Sequence, residues 1–384
     1  MKTKVLVCTL LLMFLALAGI ARGELQGNQN TFYGTNAGFS ATGDDDYATF
    51  IGANAGYSNL SGVYNTFLGY SAGYSNTNGF GNTYLGSYAG YNSMSSNNTM
   101  SGYAAGFHNT SGSANTFSGF FAGYYNGTGS YNTFSGYQAG YSNTSASCNT
   151  FTGYQTGYSN TTGERNTFAG NSAGYKNTIG KYNTFLGYAA GWANTEGNYN
   201  TFFGYATGYK NTTGSNNLYL GNYAGYENTT GVGNVFLGYN AGRNETGSGK
   251  LYIDNSNTAT PLIYGDFSAN TVTINGTLYA TVVTPSSREY KDNIRQLKAE
   301  DAIKTLQGLQ PVTFTYKTSP GENHVGFIAE DVPDLIAAKG RKGVSSMDVV
   351  SVLTKVVQEQ QSLIQELQVK NEKLEQRLLV LEGK

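Results

Sequence analysis

Cysteine and charge are both scarce in this chain. Cys8 and Cys148 are its two cysteines, charged side chains make up 12% of its 384 residues, and its formal net charge is -1. Cys8 lies inside an N-terminal apolar run that we interpret as a cleaved signal, so the mature chain keeps one cysteine and forms no intrachain disulfide. The low, balanced charge provides no basic field of the kind that binds nucleic acid.

The N-terminal segment has the pattern of a secretion signal. Lys2 and Lys4 flank the start of the apolar stretch VLVCTLLLMFLALAGI, and small residues at Ala21 and Gly23 suit a cleavage site. We therefore predict a signal peptide over residues 1–23, and hence a bacterial protein that is secreted or held at the cell surface, with no membrane span after cleavage. The alternative, a transmembrane anchor, is less well supported because no cluster of stop-transfer charges follows.

The rest of the chain contains two main regions of different composition. Residues 24–249 hold five Lys/Arg and eight Asp/Glu and are dominated by Gly, Asn, Thr, Tyr and Ala, whereas residues 287–384 hold fourteen basic and fourteen acidic residues. We predict a repeat domain over 24–249, a β-rich cap or connector over 250–285, and an α+β domain over 286–384.

The first region is a repeat with a nearly constant period. Its unit, NTFLGYAAGWANTEGNY at residues 183–199, recurs thirteen times at a spacing of seventeen, with one eighteen and one sixteen. The third position is Phe, Tyr or Met, the fifth and ninth are always Gly, and the eighth is Ala except at Thr156 and Thr207. A fixed register of this kind excludes low-complexity disorder and indicates stacked, equivalent units.

Seventeen residues with several Gly and Asn turn positions are too few for a helical pair and suit one coil of a parallel β-solenoid, with two short strands and tight turns. Thr at the second position and the fourth residue should share one face of the strand, with the aromatic residue on the other. We take the third, fourth and eighth positions as core candidates. Thirteen coils stacked at about 4.8 Å give a rod roughly 60 Å long.

The small interior and the Ala-Gly pair in each coil suggest that another backbone approaches closely, so we predict a homotrimer. The unit N-T-F-x-G-x-x-A-G also resembles, with a few extra residues, the N-x-x-x-G-x-x-A repeats in the β-roll heads of trimeric autotransporter adhesins. That resemblance implies a mainly β, trimeric roll.

The segments that follow have ordinary secondary-structure patterns. Residues 250–285 contain LYIDN, PLIYGDF and NTVTINGTLYATVV, which predict strands separated by turns. Beyond residue 286, DAIKTLQGL predicts an amphipathic helix, and PVTFTY and HVGFIAEDV predict strands.

The last segment, 350–382, carries a heptad pattern. Its seam positions are Val350, Leu353, Val357, Gln360, Ile364, Leu367, Asn371, Leu374, Leu378 and Leu381. This spacing predicts a multi-stranded coiled coil, with Gln360 and Asn371 as polar positions that fix the register. A single amphipathic helix packed on its own domain is the alternative.

A serine–lysine pair lies where the second region begins, in the stretch PSSREYKDNI. The layout of S-x-x-x-x-K, a short helix, P-V-x-F-x-Y, H-V-G-F-I-A-E-D-V and a terminal coiled coil resembles the intramolecular chaperone domain at the end of endosialidase-type tail spikes. The resemblance implies a domain that assists trimerisation and then releases itself by single-turnover autoproteolysis, with Ser286 and Lys291 as a catalytic dyad and no external substrate. Ser287 stands where the family usually has Asp, which leaves Ser287 as an alternative nucleophile.

The chemistry of such a pair needs neither a metal nor a cofactor, and none is expected. A lysine amine can activate a serine hydroxyl if burial lowers the pKa of the amine toward neutrality. Attack on the preceding carbonyl would pass through a five-membered ring and cut before Ser286. The resemblance instead implies a cut between Ser286 and Ser287, and we adopt that bond as the prediction.

Several other residues are weaker candidates. His324 could orient the dyad, although a structural role in a strand is favoured, and Glu330 and Asp331 could pair with Lys291 or Arg288 or be surface charges. The run Asp44 to Asp46 could bind a cation, although a solvated acidic loop is favoured.

Three functions compete for the repeat domain. A surface-binding fibre with a glycan or another cell-surface molecule as ligand is our main hypothesis, and the tyrosine of nearly every coil, a ribbon of exposed aromatic faces, could stack on sugars or pack between chains. A glycan-degrading spike is disfavoured because the repeats lack paired carboxylates at regular positions. Ice binding by the threonine ladder is the third.

Overall fold

The computed structural model describes residues 29–41, 47–278, 287–317, 321 and 323–383, and the chain divides into two compact units, Met1–Tyr279 and Ala280–Lys384. The predicted signal peptide at 1–23 and the acidic run Asp44 to Asp46 lie outside the described residues.

The first unit is a parallel β-solenoid, as the repeat predicts. Each coil contributes one strand of three residues, and each strand pairs in parallel and in register with the next, so that Phe185 lies opposite Phe202. The prediction of two strands per coil is wrong, because turns and bends occupy the rest of each coil. The strands are Thr31–Tyr33 (β1), Thr49–Ile51 (β2), Thr66–Leu68 (β3), Thr83–Leu85 (β4), Thr99–Ser101 (β5), Thr116–Ser118 (β6), Thr133–Ser135 (β7), Thr150–Thr152 (β8), Thr167–Ala169 (β9), Thr184–Leu186 (β10), Thr201–Phe203 (β11), Leu218–Leu220 (β12) and Val235–Leu237 (β13).

The middle residue of each strand builds a continuous column inside the solenoid. From β2 to β13 these side chains are fully buried, and consecutive rings stack face to face, for example Phe151 on Phe168 with centroids 4.9 Å apart. The one aliphatic member is Met100 in β5. Stacking of aromatic residues at the strand spacing removes the rings from β2 to β13 from water, which makes this column the main apolar core of the unit.

The glycines and alanines of the repeat serve this column. Gly123 has a φ of +59°, and a Cβ on it would lie 2.7 Å from the ring of Phe117. Gly153, at a fifth position, has a φ of +132°, and its Cβ would meet the carbonyl oxygen of Gly170 at 2.5 Å. Both backbones favour glycine and leave no space for a side chain. The Ala-Gly pair is therefore explained inside one chain, and it no longer supports close approach of a second one.

The fourth position is not part of the core. Its side chains point outward beside the second-position threonine, and Phe203, for instance, is 55% exposed. The predicted faces of the strand are correct, but the assignment of the fourth residue to the core is wrong.

Two columns of buried asparagine fill the rest of the interior. Asn166 Oδ1 accepts from the backbone N–H of Asn183 at 2.9 Å, and the same pattern links the first positions of most coils. Asn194 Nδ2, at a twelfth position, donates to Asn177 Oδ1 at 2.7 Å and to the carbonyl of Gly197 at 3.1 Å. These amides pair with each other and with turn carbonyls, which offsets the cost of burying polar groups.

Three further strands end the solenoid. Lys250–Ile253 (β14) pairs in parallel with β13, and Ile263–Asp266 (β15) and Thr271–Ile274 (β16) follow in antiparallel order. Tyr252 packs its ring edge-on against Phe236, with centroids 5.3 Å apart, and so covers the last ring of the column. The strands predicted in 250–285 are present as far as Ile274, and residues 279–286 lie outside the described residues.

The second unit is small and α+β. It contains a 3₁₀ turn at Arg288–Tyr290, the helix Ala299–Gln307 (α1), an antiparallel pair formed by Val312–Phe314 (β17) and His324–Gly326 (β18), and the helix Ser346–Glu382 (α2). Its core consists of Ala302, Val332, Ile336, Val352 and Val356.

Two tyrosines in the buried column should make the stability of the fold decrease at alkaline pH. Burial raises the pKa of Tyr84 and Tyr219 well above the ordinary value of 10.0, although the Tyr84 hydroxyl donates to Ser93 Oγ at 2.8 Å. A raised folded-state pKa means that the folded chain holds these protons more tightly, so this stabilisation is complete below pH 10.0 and is lost as the pH rises above it.

We expect the double variant Tyr84→Phe/Tyr219→Phe to lose less stability between neutral pH and pH values above 10.0 than the wild type does. Denaturant midpoints measured across this range test the prediction, with the exposed Tyr131→Phe as the matched control. Equal alkaline losses in the wild type and the double variant would contradict it.

Candidate functional site

The predicted dyad lies at the start of the second unit. Ser286 is outside the described residues, so its pairing with Lys291 stays a prediction. Ser287 Oγ accepts from the backbone N–H of Glu289 at 3.2 Å and caps the 3₁₀ turn Arg288–Tyr290. The backbone N–H of Lys291 donates to the carbonyl of Arg288 at 3.2 Å, where this turn ends.

The surroundings of Lys291 bear on its predicted role as a base. Its side chain is exposed in the single chain. An amine accepts a proton from serine at neutral pH only when burial or a neighbouring cation disfavours its charged form. The role of Lys291 as a base stays a prediction.

His324 has the surroundings of a structural residue. It is half-buried in β18, where its ring lies 5.0 Å from that of Tyr316 and 5.9 Å from that of Phe314. Within the described part of the chain, its Nε2 atom is buried without a hydrogen-bond partner. Its suggested role in orienting the dyad is not tested.

Glu330 belongs to a separate surface network. Its carboxylate forms an ion pair with Lys342, with Oε1 3.0 Å from Nζ, and this hydrogen bond holds the pKa of Glu330 below its usual range. Arg341 donates to the backbone carbonyl of Glu330 at 2.9 Å and pairs with Asp334. Glu330 thus has Lys342 as an ion-pair partner, Asp331 is an exposed side chain, and the suggested pairing with Lys291 or Arg288 is not tested.

Helix α2 carries two apolar stripes with different environments. Val352 and Val356 are buried in the core of the unit, against Ala302 of α1. The predicted seam is a different stripe, and its apolar members are between 40% and 70% exposed in the single chain. The helix therefore uses one face for its own domain and leaves the heptad seam uncovered.

A groove adjoins the uncovered seam where α1 meets α2. It has a volume of about 460 Å³ and is lined on the apolar side by Ile303, Leu306, Val356 and Leu363. Such an apolar cleft beside a bare seam suits the side chains of another helix.

The aromatic residues on the solenoid surface differ from their expected arrangement. The tenth-position rings form a ladder in which Tyr141 stacks on Tyr158 at 5.0 Å, and neighbouring coils repeat this arrangement. Each ring face is therefore covered by the next ring, and the ladder presents ring edges and hydroxyls to solvent. The expected ribbon of free aromatic faces is absent where these ladders are described.

The second-position threonines form a ladder on another face. Eleven of them lie in register, from Thr31 in β1 to Thr201 in β11. Threonines at the thirteenth position behave differently, since Thr178 Oγ1 donates to the carbonyl of Thr195 in the next coil at 3.0 Å. The regular ladder on which the ice-binding alternative depends is therefore present.

In the part of the chain that the structure describes, no group of three or more His, Cys, Asp or Glu side chains is placed to hold a metal ion. No helix among the described residues is long and apolar enough to cross a membrane.

Comparison with known proteins gives one family. Residues 286–341 match the family described as chaperone of endosialidase. The match begins at Ser286 and confirms the resemblance over that segment. Neither the curated proteins nor the solved structures include a match to the chain. The similarity to adhesin heads therefore depends on the repeat unit alone.

Proposed function

We propose that this chain is a secreted, trimeric fibre protein of the bacterial surface, whose C-terminal chaperone segment assists trimerisation and is then released by Ser286 and Lys291. The observation that carries the proposal is the order of the parts. A thirteen-coil β-solenoid precedes a segment that matches the chaperone of endosialidase family from Ser286 onward.

Trimerisation is supported by the bare seam of α2. Leu367, Leu374 and Leu378 are each more than half exposed in the single chain. Exposure of a largely apolar stripe over several helical turns is unfavourable in water, and a coiled coil removes the stripe from water. The coiled coil would also bring three solenoids together, so that their folding becomes effectively intramolecular.

Assembly also supports the proposed cleavage. Lys291 is exposed in the single chain, so a neighbouring protomer that covers it would disfavour its ammonium form. Cleavage would then follow assembly, and an unassembled chain would keep its chaperone segment. After release, the solenoid would remain as a surface-binding fibre.

We expect Leu367→Asp to weaken trimer formation about a hundredfold or more, because each protomer would bury a carboxylate in the seam. Val369→Asp is the matched control, since Val369 is 48% exposed, against 51% for Leu367, but lies off the seam. Sedimentation equilibrium of purified chains measures both.

A trimer in Val369→Asp together with a dissociated Leu367→Asp supports the proposal. A stable folded monomer in the wild type would refute it. Equal weakening by the two substitutions would show that the predicted seam is not the interface.

A further inference from the structure

The aromatic surface of the solenoid contains a groove that the repeat alone does not explain. A ladder of rings at the tenth position runs along this surface, rings at the sixth position of eight coils lie opposite it, and the seventh position lies between them. Large seventh-position side chains fill this trough in several coils: the ring of Tyr88 contacts those of Tyr70 and Tyr91 on its two sides, and Gln155 donates to Gln138 at 2.8 Å.

Three consecutive coils lack these fillers. Their seventh positions are Ser172, Ala189 and Ala206, and a groove of about 320 Å³ opens above them. At the next coil Tyr223 fills the trough again, with its ring edge-on to Tyr205 at 5.2 Å, and the groove ends there. The groove is thus a local departure from the repeat, of the size of a small ligand site.

The walls of the groove are built from stacked rings. Tyr188 and Tyr205 form one wall, with centroids 5.0 Å apart. Trp192, Tyr209 and Tyr226 form the other, at spacings of 5.2 and 5.1 Å. Trp192 is the one tryptophan of the chain.

The chemistry of these walls favours an anionic or acceptor-rich ligand. Because the rings within each wall stack on one another, the groove mainly meets ring edges, which carry partial positive charge, and phenol hydroxyls, which can donate. The proximity of Tyr223 raises the pKa of Tyr205 above its ordinary value.

Cations lie beside one wall of the groove, next to the residues that line it. Lys176 Nζ lies 4.2 Å from the ring centroid of Trp192, and the guanidinium of Arg243 lies 5.0 Å from that of Tyr226. Lys210 also lies there, but it pairs with Glu227 at 2.7 Å. Three of the five basic residues in 24–249 are therefore at this wall, although the region as a whole is slightly acidic.

We propose that this groove binds an acidic oligosaccharide, a chain of carboxylated or sulfated sugars lying along the solenoid axis. The wall groups repeat every 5.0–5.2 Å, close to the length of one sugar ring in an extended chain. An extended peptide advances about 3.3 Å per residue and does not match this repeat. Hydroxyls and ring edges at that spacing would meet successive sugars, and Lys176 and Arg243 would attract their acid groups.

This inference deepens the proposed surface-binding role by naming a ligand class. It depends on the solenoid alone, and neither trimerisation nor cleavage is required for it. A monomer in the sedimentation experiment would therefore not contradict ligand binding in the groove. Absence of ligand binding in the groove would likewise leave the assembly proposal intact.

The test uses the fluorescence of Trp192 in the full secreted chain. We titrate it with tetragalacturonate and a sulfated tetrasaccharide as acidic probes, with cellotetraose as the neutral sugar, and with tetraglutamate as the acidic peptide. We expect a saturable change in emission with at least one acidic sugar, weakened by added salt. Cellotetraose and tetraglutamate should bind about tenfold more weakly, a difference of about 1.4 kcal/mol.

Two variants localise the binding. Ala206→Tyr introduces the residue that already stands at the same position in the next coil, where Tyr223 adopts a φ of +59°, close to the +50° of Ala206. It should fill the groove and reduce affinity at least about tenfold, a change of about 1.4 kcal/mol. Asn54→Tyr, which introduces tyrosine at the seventh position of the second coil, is the matched control and should bind like the wild type.

The outcomes separate the possibilities. Lys176→Gln/Arg243→Gln should lose affinity for the acidic sugar and not for cellotetraose. Absence of a saturable change with either acidic sugar, or unchanged affinity in Ala206→Tyr, would overturn the proposal. Equal binding of tetraglutamate would assign the groove to acidic chains in general and overturn the sugar assignment.

Discussion

Ser286→Ala should leave the chain uncut, whereas the wild type should separate after assembly into a fibre ending at Ser286 and a released fragment of 98 residues, 287–384. The substitution removes the hydroxyl of the proposed nucleophile and leaves the rest of the segment intact. The uncut variant should still form trimers, because α2 and its seam are unchanged. Intact-mass measurement on the purified protein detects both species.

Lys291 provides the second arm of this experiment. Lys291→Ala removes the base, and Lys291→Arg keeps a positive charge but cannot accept a proton, since a guanidinium stays protonated. Both variants should remain full-length. Ser287→Ala is the matched control and should still be cut, since this hydroxyl caps the 3₁₀ turn.

Each other outcome identifies an error. Cleavage of Ser286→Ala at the same bond would exclude Ser286 as the nucleophile. Loss of cleavage in Ser287→Ala would identify Ser287 as the nucleophile instead. A wild type that stays uncut as a trimer would mean that Ser287, in place of the usual Asp, has disabled the reaction and left a permanent trimerisation segment.

The largest effect on stability is expected from the ring column. Phe151→Ala should destabilise the solenoid by about 3–5 kcal/mol, because it removes a fully buried ring and leaves a cavity between two stacked neighbours. Phe134 and Phe168 each stack on Phe151 at 4.9 Å, so both lose a contact. Denaturant unfolding followed by far-UV circular dichroism measures the loss.

Phe151→Met is the matched control, because Met100 already occupies this position of the column without exposure. It should cost less than about 1.5 kcal/mol, as volume-conserving changes usually do. If Ala and Met cost the same, the column would not be the main source of stability, and the buried asparagine amides would be the next candidates.

The repeat made much of the first unit predictable. A constant period forces equivalent residues into register, and alternation along a strand puts Phe185 on one face and its neighbours Thr184 and Leu186 on the other. The parallel solenoid and the buried aromatic column follow from these two rules, and the structure confirms both. The strands up to Ile274 and the C-terminal helix also follow from their patterns.

The roles of asparagine and of the fourth residue did not follow from the pattern. Asparagine is common in turns, so its repetition suggested loops, whereas Asn194 is buried. Its burial depends on the carbonyl of Gly197 and the amide of Asn177 lying within hydrogen-bond distance, which the path of the coil decides. The number of strands per coil depends on the same path.

The sequence by itself determined the period, the face of each strand and the order of the solenoid and the chaperone segment, because these depend on spacing along the chain. Only the tertiary structure decided which polar groups enter the core, that the alanines and glycines accommodate the rings of their own chain, and that Ser172, Ala189 and Ala206 open a groove. These features depend on distances between coils, and those distances are set only when the coils have stacked on one another.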